Sequence, residues 1–159
     1  MAIRRRALLC VFMSMTVSVL GFSATSHAAD FGTPDEAKAM VAKAAAFYKA
    51  NGRDKLLAEV ANPKGQFVDR DLYIVPYTID GVRLAHPYNQ KLVGGSILDA
   101  VDFDGKEYGK EEVALIKTKG SGWVDYKFTD PTTKKLASKS FYVEKIDDQI
   151  FLGCGVYKH

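Results

Sequence analysis

His86, Tyr126 and Lys139 are the residues of this chain best suited to hold a small anion. His86 precedes Pro87, which biases its backbone toward an extended conformation and aims the ring at the start of a long polar segment. An imidazole N–H placed there can donate to a carboxylate; the plainer role is a structural bond to a loop carbonyl. Tyr126 shares a strand face with Val124 and Phe128, two residues to either side. Its hydroxyl needs a partner if the face is buried. Lys139 shares a face with Phe141 and Val143 by the same alternation. An ammonium on an apolar face is costly unless something anionic meets it. A bound carboxylate would do so, as would Asp125 or Asp130. Trp123 and Tyr88 are aromatics able to close such a pocket. Simple alternation puts Trp123 on the face opposite Tyr126, unless Gly122 permits a bulge, and core packing is its plainer role. Tyr73, Tyr77 and Arg83 form a second tier; an arginine there can grip a carboxylate through two hydrogen bonds.

Other chemistries lack their parts. Asp99, Asp102, Asp104 and Glu107 do not have the run of oxygen ligands and terminal Glu of a calcium loop. Asp104-Gly105 reads better as a turn. No Gly-x-Ser-x-Gly elbow, His-Glu-x-x-His pair or Cys-x-x-Cys-His site occurs. Cys154 and His86 form the one imaginable nucleophile–base pair, and nothing in their spacing joins them. Cys154, between two glycines in a strand, reads as a buried and inert thiol. The expectation is binding without turnover, with no cofactor and no metal.

The N-terminus bounds where this happens. Arg4, Arg5 and Arg6 precede an uncharged, mostly apolar run over 7–22, and Ser26 and Ala28 frame a small-x-small cleavage site before Ala29. This is the order of an export signal over residues 1–28, and the run is shorter than the roughly 20 residues of a spanning helix. The twin arginine at 5–6 leaves the export route open, with the general secretory route preferred. The expected domain is 29–159, periplasmic or secreted.

Removing the signal changes the charge. The full chain is +3, from 22 Lys+Arg against 19 Asp+Glu, and three of those arginines lie in the signal. The remainder balances at 19 against 19, which excludes nucleic acid or a bulk membrane surface as an electrostatic partner. Cys154 is the one cysteine beyond the signal, so no internal disulfide is expected and the core alone must hold the domain. No second apolar run long enough to span a membrane follows.

The elements that must position these residues are legible. Thr33-Pro34-Asp35-Glu36 is a capping-box start for a helix over 34–51, with Met40, Val41, Ala44, Phe47 and Tyr48 as one apolar stripe. Packing on its own sheet is preferred over a dimer interface for that stripe. A short helix over 53–61 follows. Residues 72–79 and 82–86 read as a hairpin about Asp80-Gly81, with Pro76 expected to force a bulge or an unpaired N–H. The segment 87–104 is long enough to be functional or to carry short structure of its own. A helix over 106–119 faces Val113, Leu115 and Ile116 inward. Strands over 123–129, 138–146 and 149–157 complete an α+β order with a five-stranded antiparallel sheet.

Several segments, in order, carry a family resemblance. They are Asp80-Gly81-Val82-Arg83-Leu84-Ala85-His86-Pro87, Asn89-Gln90-Lys91-Leu92-Val93-Gly94, Asp102-Phe103-Asp104-Gly105-Lys106, Gly122-Trp123-Val124-Asp125-Tyr126-Lys127-Phe128, Lys139-Ser140-x-Tyr142-Val143 and Gly153-x-Gly155-Val156-Tyr157. The chain resembles the Cache family of extracellular sensor domains, specifically the single-Cache type 2 group. The resemblance implies a PAS-like sheet covered by a long N-terminal helix and a loop-and-helix connection, with a small pocket under that connection. It further implies binding of a small organic acid or amino acid; from the residues themselves, Lys139, Tyr126 and His86 are the expected polar contacts, with Trp123 and Tyr88 closing the pocket. A membrane sensor is the implied partner, and a homodimer is possible. The alternative is an accessory subunit of a sensor complex with a vestigial pocket.

Overall fold

Thr33 and Glu36 cap the first helix reciprocally. The Glu36 amide donates to Thr33 Oγ1 at 3.3 Å and the Thr33 amide donates to Glu36 Oε2 at 2.8 Å. The computed structural model describes residues 31–158, so the expected export segment, 1–28, and His159 lie outside the described residues. Helix α1 runs Pro34–Asn51 and stops at Gly52, whose φ of 84° suits glycine. Helix α2 covers Arg53–Val60. Ala37, Val41, Ala44 and Ala45 bury one face of α1 against the sheet. The alanines let the helix approach closely, and the stripe packs at home as expected.

Five antiparallel strands follow: β1 Val68–Asp69, β2 Leu72–Thr78, β3 Ser121–Thr129, β4 Leu136–Lys145 and β5 Ile150–Lys158. Their order is β1-β2-β5-β4-β3, which puts β5 at the centre. A 3-10 turn at Gln90–Leu92 and helix α3, Tyr108–Lys119, lie in the connection between β2 and β3.

One expected strand is replaced. Residues 82–86 make only isolated bridges, and the fifth strand is β1. The physical reason lies in Pro76. Leu84 donates its amide to the Pro76 carbonyl at 2.8 Å, and Pro76 has no N–H with which to return the bond. The ladder therefore stops there. No bulge results: Pro76 pairs with Leu152 in a continuous register, because its backbone polar groups face the 82–86 segment rather than β5.

The sheet has two differently built faces. Beneath α1 and α2 lie Leu72, Ile74, Ile150, Leu152, Cys154 and Val156. Beneath α3 and the connection lie Tyr73, Val75, Tyr77, Val124, Tyr126, Phe141 and Tyr157. Strand alternation sorts both sets.

Candidate ligand-binding site

Lys139 lies in the second of these faces and is 2% exposed. Its side chain crosses β5 over Gly155, where an added Cβ would come within 1.8 Å of the Lys139 Cε. Gly153 likewise leaves room for the Phe141 ring. The Gly-x-Gly of β5 is thus the trough in which Phe141 and Lys139 lie flat. The ammonium is 4.5 Å from the ring centre of Tyr73, 4.8 Å from Tyr157, 5.0 Å from Phe141 and 5.3 Å from Phe128. It donates to the Tyr73 hydroxyl at 2.8 Å. That bond occupies a lone pair of Tyr73 and turns its proton toward the Tyr157 hydroxyl, 3.1 Å away. Tyr157 in turn points to the Thr129 carbonyl at 3.4 Å.

Neither expected acid meets Lys139. Asp125 accepts a short hydrogen bond from Ser140 and faces Lys158 at 3.7 Å. The Asp130 carboxylate accepts the Thr132 amide and the Thr132 and Thr133 hydroxyls, fixing the β3–β4 turn.

His86 closes the same space from the connection. Its Nδ1 accepts the amides of Tyr88 at 3.1 Å and Asn89 at 3.2 Å. Two backbone N–H groups can point there only if Nδ1 carries no proton, so the ring proton of the neutral imidazole sits on Nε2 as a donor. Burial, with help from Lys139 and Arg83, lowers the His86 pKa to about 3. The ring is therefore neutral across the physiological range.

Arg83, Tyr77, Tyr108 and Tyr126 complete a chamber with Tyr73, His86, Phe128, Lys139 and Phe141. Its volume is about 10 Å³. An outer hollow of about 320 Å³ shares Tyr73, His86 and Phe128 in its wall and adds Tyr88, Asn89, Leu92, Pro131 and Lys134. Tyr88, 40% exposed, stands at the rim with its ring edge-on to Tyr73. The Arg83 guanidinium is 5.3 Å from the Tyr77 ring centre, and its Nε is buried without a partner among the described residues. Burial raises the hydroxyl pKa values of Tyr73, Tyr77 and Tyr126 far above the ordinary tyrosine value, so these groups stay neutral donors.

The structure thus brings Lys139, Tyr126, His86 and Tyr88 together, and Arg83, Tyr73 and Tyr77 join them. Trp123 is the exception. It packs on the α1 face against Tyr142, 5.2 Å between ring centres, with the Lys38 ammonium 5.9 Å from its own. Gly122 introduces no slip: Trp123 pairs with Tyr142 and Tyr126 with Lys139 in one register, so alternation holds. Cys154 also faces α1, fully buried, with its thiol pushed up to about 12 by burial. The sheet separates it from His86. Asp102 serves as a turn residue, accepting the amides of Asp104, Lys106 and Lys127.

Glu112 is the residue that the sequence reading missed. It is fully buried on α3, and neither carboxyl oxygen has a hydrogen-bond partner among the described residues. Its charge interactions run to Lys139 and Arg83. A signal for it exists: Tyr108, Glu112 and Ile116 fall at i, i+4 and i+8, so an acid stands in the helix's apolar stripe. Asp71, two residues before Tyr73, has a second orphaned oxygen; its first accepts the Gly32 amide at 2.6 Å.

Comparison with known proteins agrees with this architecture. A solved Cache chemosensory domain described for carboxylic acid recognition superposes with a TM-score of 0.62 at 27% identity, over 79% of this chain and 88% of that one. A methyl-accepting chemotaxis protein from Vibrio parahaemolyticus gives a TM-score of 0.65 at 23% identity, over 77% and 86% respectively. The sensor histidine kinase MctS of Rhizobium johnstonii is 34% identical over 89 residues. That match covers 55% of this chain and spans 19% of the kinase's length. The Cache domain family model matches residues 36–159, and the chain belongs to the Cache domain family of sensor modules.

Proposed function

We propose that this domain is an exported sensor module that binds a small carboxylate with its body in the outer hollow of about 320 Å³ and its charged end directed past Tyr73 and His86 at the cations of the inner chamber. The observation that carries the reading is the pairing of two buried cationic side chains, Arg83 and Lys139, with no ion pair to either among the described residues. Buried charge of one sign is costly unless an opposite charge meets it. A carboxylate would meet both, and the Nε2–H of His86 and the tyrosine hydroxyls supply further donors. The carboxylic-acid-binding Cache domain named above supports the same ligand class.

A ligand bearing an ammonium fits less well. Glu112, a buried acid on which both cations act, is held protonated by burial, with its pKa raised to about 8. An amino group would meet two positive charges and a neutral acid. A vestigial pocket is also disfavoured, since orphaned polar groups in a dry interior are a standing cost that apolar substitution removes. The export segment 1–28, delivery of the bound state to a membrane sensor, homodimerisation and the absence of turnover belong to this proposal.

The test is a thermal-shift and calorimetric screen of formate, acetate, propionate and butyrate. A binder at about 100-fold its dissociation constant stabilises by about 2.7 kcal/mol. Lys139→Met should weaken binding by roughly 10- to 100-fold, the worth of a charge-assisted hydrogen bond, while leaving the fold intact. The reading fails if no acid in the series stabilises the protein, or if Lys139→Met binds as the parent does.

A further inference from the structure

Glu112 has no place in the carboxylate site as described, yet it shares that site's electrostatics. It sits on α3 with no exposure and with both oxygens orphaned. Ionisable groups from several elements interact with its charge. Tyr77 comes from β2, Arg83 from the 82–86 segment, Tyr126 from β3 and Lys139 from β4. Tyr108, Glu111 and Lys106 come from α3 and its N-terminal flank. Tyr77 and Tyr126 are held neutral by burial and Tyr108 is shifted the same way. Arg83 and Lys139 are thus the positive groups of the chamber itself; Glu112 forms an ion pair with neither among the described residues, but it lies one turn after Tyr108, which lines the chamber and stacks on Tyr126 at 4.2 Å, and its charge interacts with both cations.

Resting on the carboxylate reading, we propose that Glu112 is a built-in competitor for the two cations, so that the chamber accepts a carboxylate well only while Glu112 holds a proton. The reasoning is that of two carboxyl groups sharing one site: ionising the second next to the first is unfavourable, and each opposes the charge of the other. A bound carboxylate therefore strengthens the hold of Glu112 on its proton. By linkage, release of that proton weakens binding. His86 stays neutral in the relevant range and adds no opposing step.

The experiment compares the wild type with Glu112→Gln by calorimetry at pH 6.5 and pH 9, using formate, acetate, propionate and butyrate. The expected result is binding by the wild type that is severalfold, and at most about tenfold, weaker at pH 9 than at pH 6.5. Glu112→Gln should change by less than twofold and bind more tightly than the wild type at pH 9. Binding by the wild type that is equal at both values, or an undiminished pH dependence in Glu112→Gln, overturns the role of Glu112 and leaves the carboxylate reading standing. Absence of binding by both proteins at both values overturns the carboxylate reading and this inference with it. A second measurement needs no variant: titration of the wild type at pH 8 in buffers of different ionisation enthalpy should show net proton uptake on binding. Zero uptake at pH 8 overturns the proposal.

Discussion

The two faces of the sheet are made from alternate residues of the same strands, yet they solve opposite problems. Toward α1, the strands present Leu72, Ile74, Leu152, Cys154 and Val156, a dry surface whose groups need nothing beyond contact. Toward α3, the same strands present Tyr73, Tyr77, Tyr126, Lys139 and Tyr157, with Arg83 and Glu112 added from the connection. The first face gains from burial in proportion to area. The second holds charges and hydroxyls out of water, which burial penalises. Both faces contribute to stability, while the proposed recognition belongs to the second alone. A change on the α1 face should therefore leave affinity nearly untouched.

The largest contrast should come from the α1 face. Leu152→Ala removes a fully buried side chain there and should cost about 2–5 kcal/mol in chemical denaturation. Carboxylate affinity of the folded fraction should stay within twofold; a large affinity loss would break the division of labour.

Gly155→Ala tests the trough beneath Lys139. The new methyl would collide with the lysine stem, so about 1–3 kcal/mol of stability and at least tenfold in affinity should be lost. In a Lys139→Ala background the same change should cost much less. Equal costs in both backgrounds would show that Gly155 does not act through Lys139.

The pH dependence of the unliganded protein is next. The folded-state pKa of Glu112 is about 8 against an ordinary 4.5, so between those values the native chain keeps a proton that the unfolded chain has released. Stability should therefore fall as pH rises through this window. At its steepest the slope is about one proton, a tenfold change in the folding constant per pH unit. Glu112→Gln should remove the slope between pH 4.5 and about 8. A slope that survives in Glu112→Gln would show that another group carries it. His86 has the opposite sense: its pKa is lowered, so its contribution is lost as pH falls from 6.5 toward about 3.

The smallest effect belongs to Trp123→Phe. The ring is half-buried on the α1 face, and the change should cost no more than about 1 kcal/mol. Affinity should not change. A clear affinity loss in calorimetry would return Trp123 to the site and blur the two faces.

Much of this was legible from local pattern. The capping box set the start of α1 and Gly52 its end. Period-two alternation placed Lys139 with Phe141 and Val143, and Tyr126 with Val124, because a strand offers only two faces. The same rule put Trp123 on the far side, and the register of β3 against β4 obeys it. The identity of the fifth strand was not legible. It depended on which polar edge Pro76 turned toward the 82–86 segment, and a sequence does not show which edge of a strand meets which neighbour.

Residue types, strand alternation and helix caps therefore determined the α+β framework and most of the groups that face the chamber, since these depend on interactions a few residues long. The meeting of those groups was decided only by the tertiary structure. Lys139 donates to a tyrosine 66 residues away. Arg83 and Glu112 address the same space from elements that share no local signal. Gly155 matters because a side chain from the neighbouring strand crosses it. Such relations follow from the sheet order β1-β2-β5-β4-β3, in which the last strand lies at the centre and joins β2 to β4. Burial then changes the chemistry: the same glutamate that would be a solvated acid on an exposed helix becomes, inside this face, a carboxyl that keeps its proton.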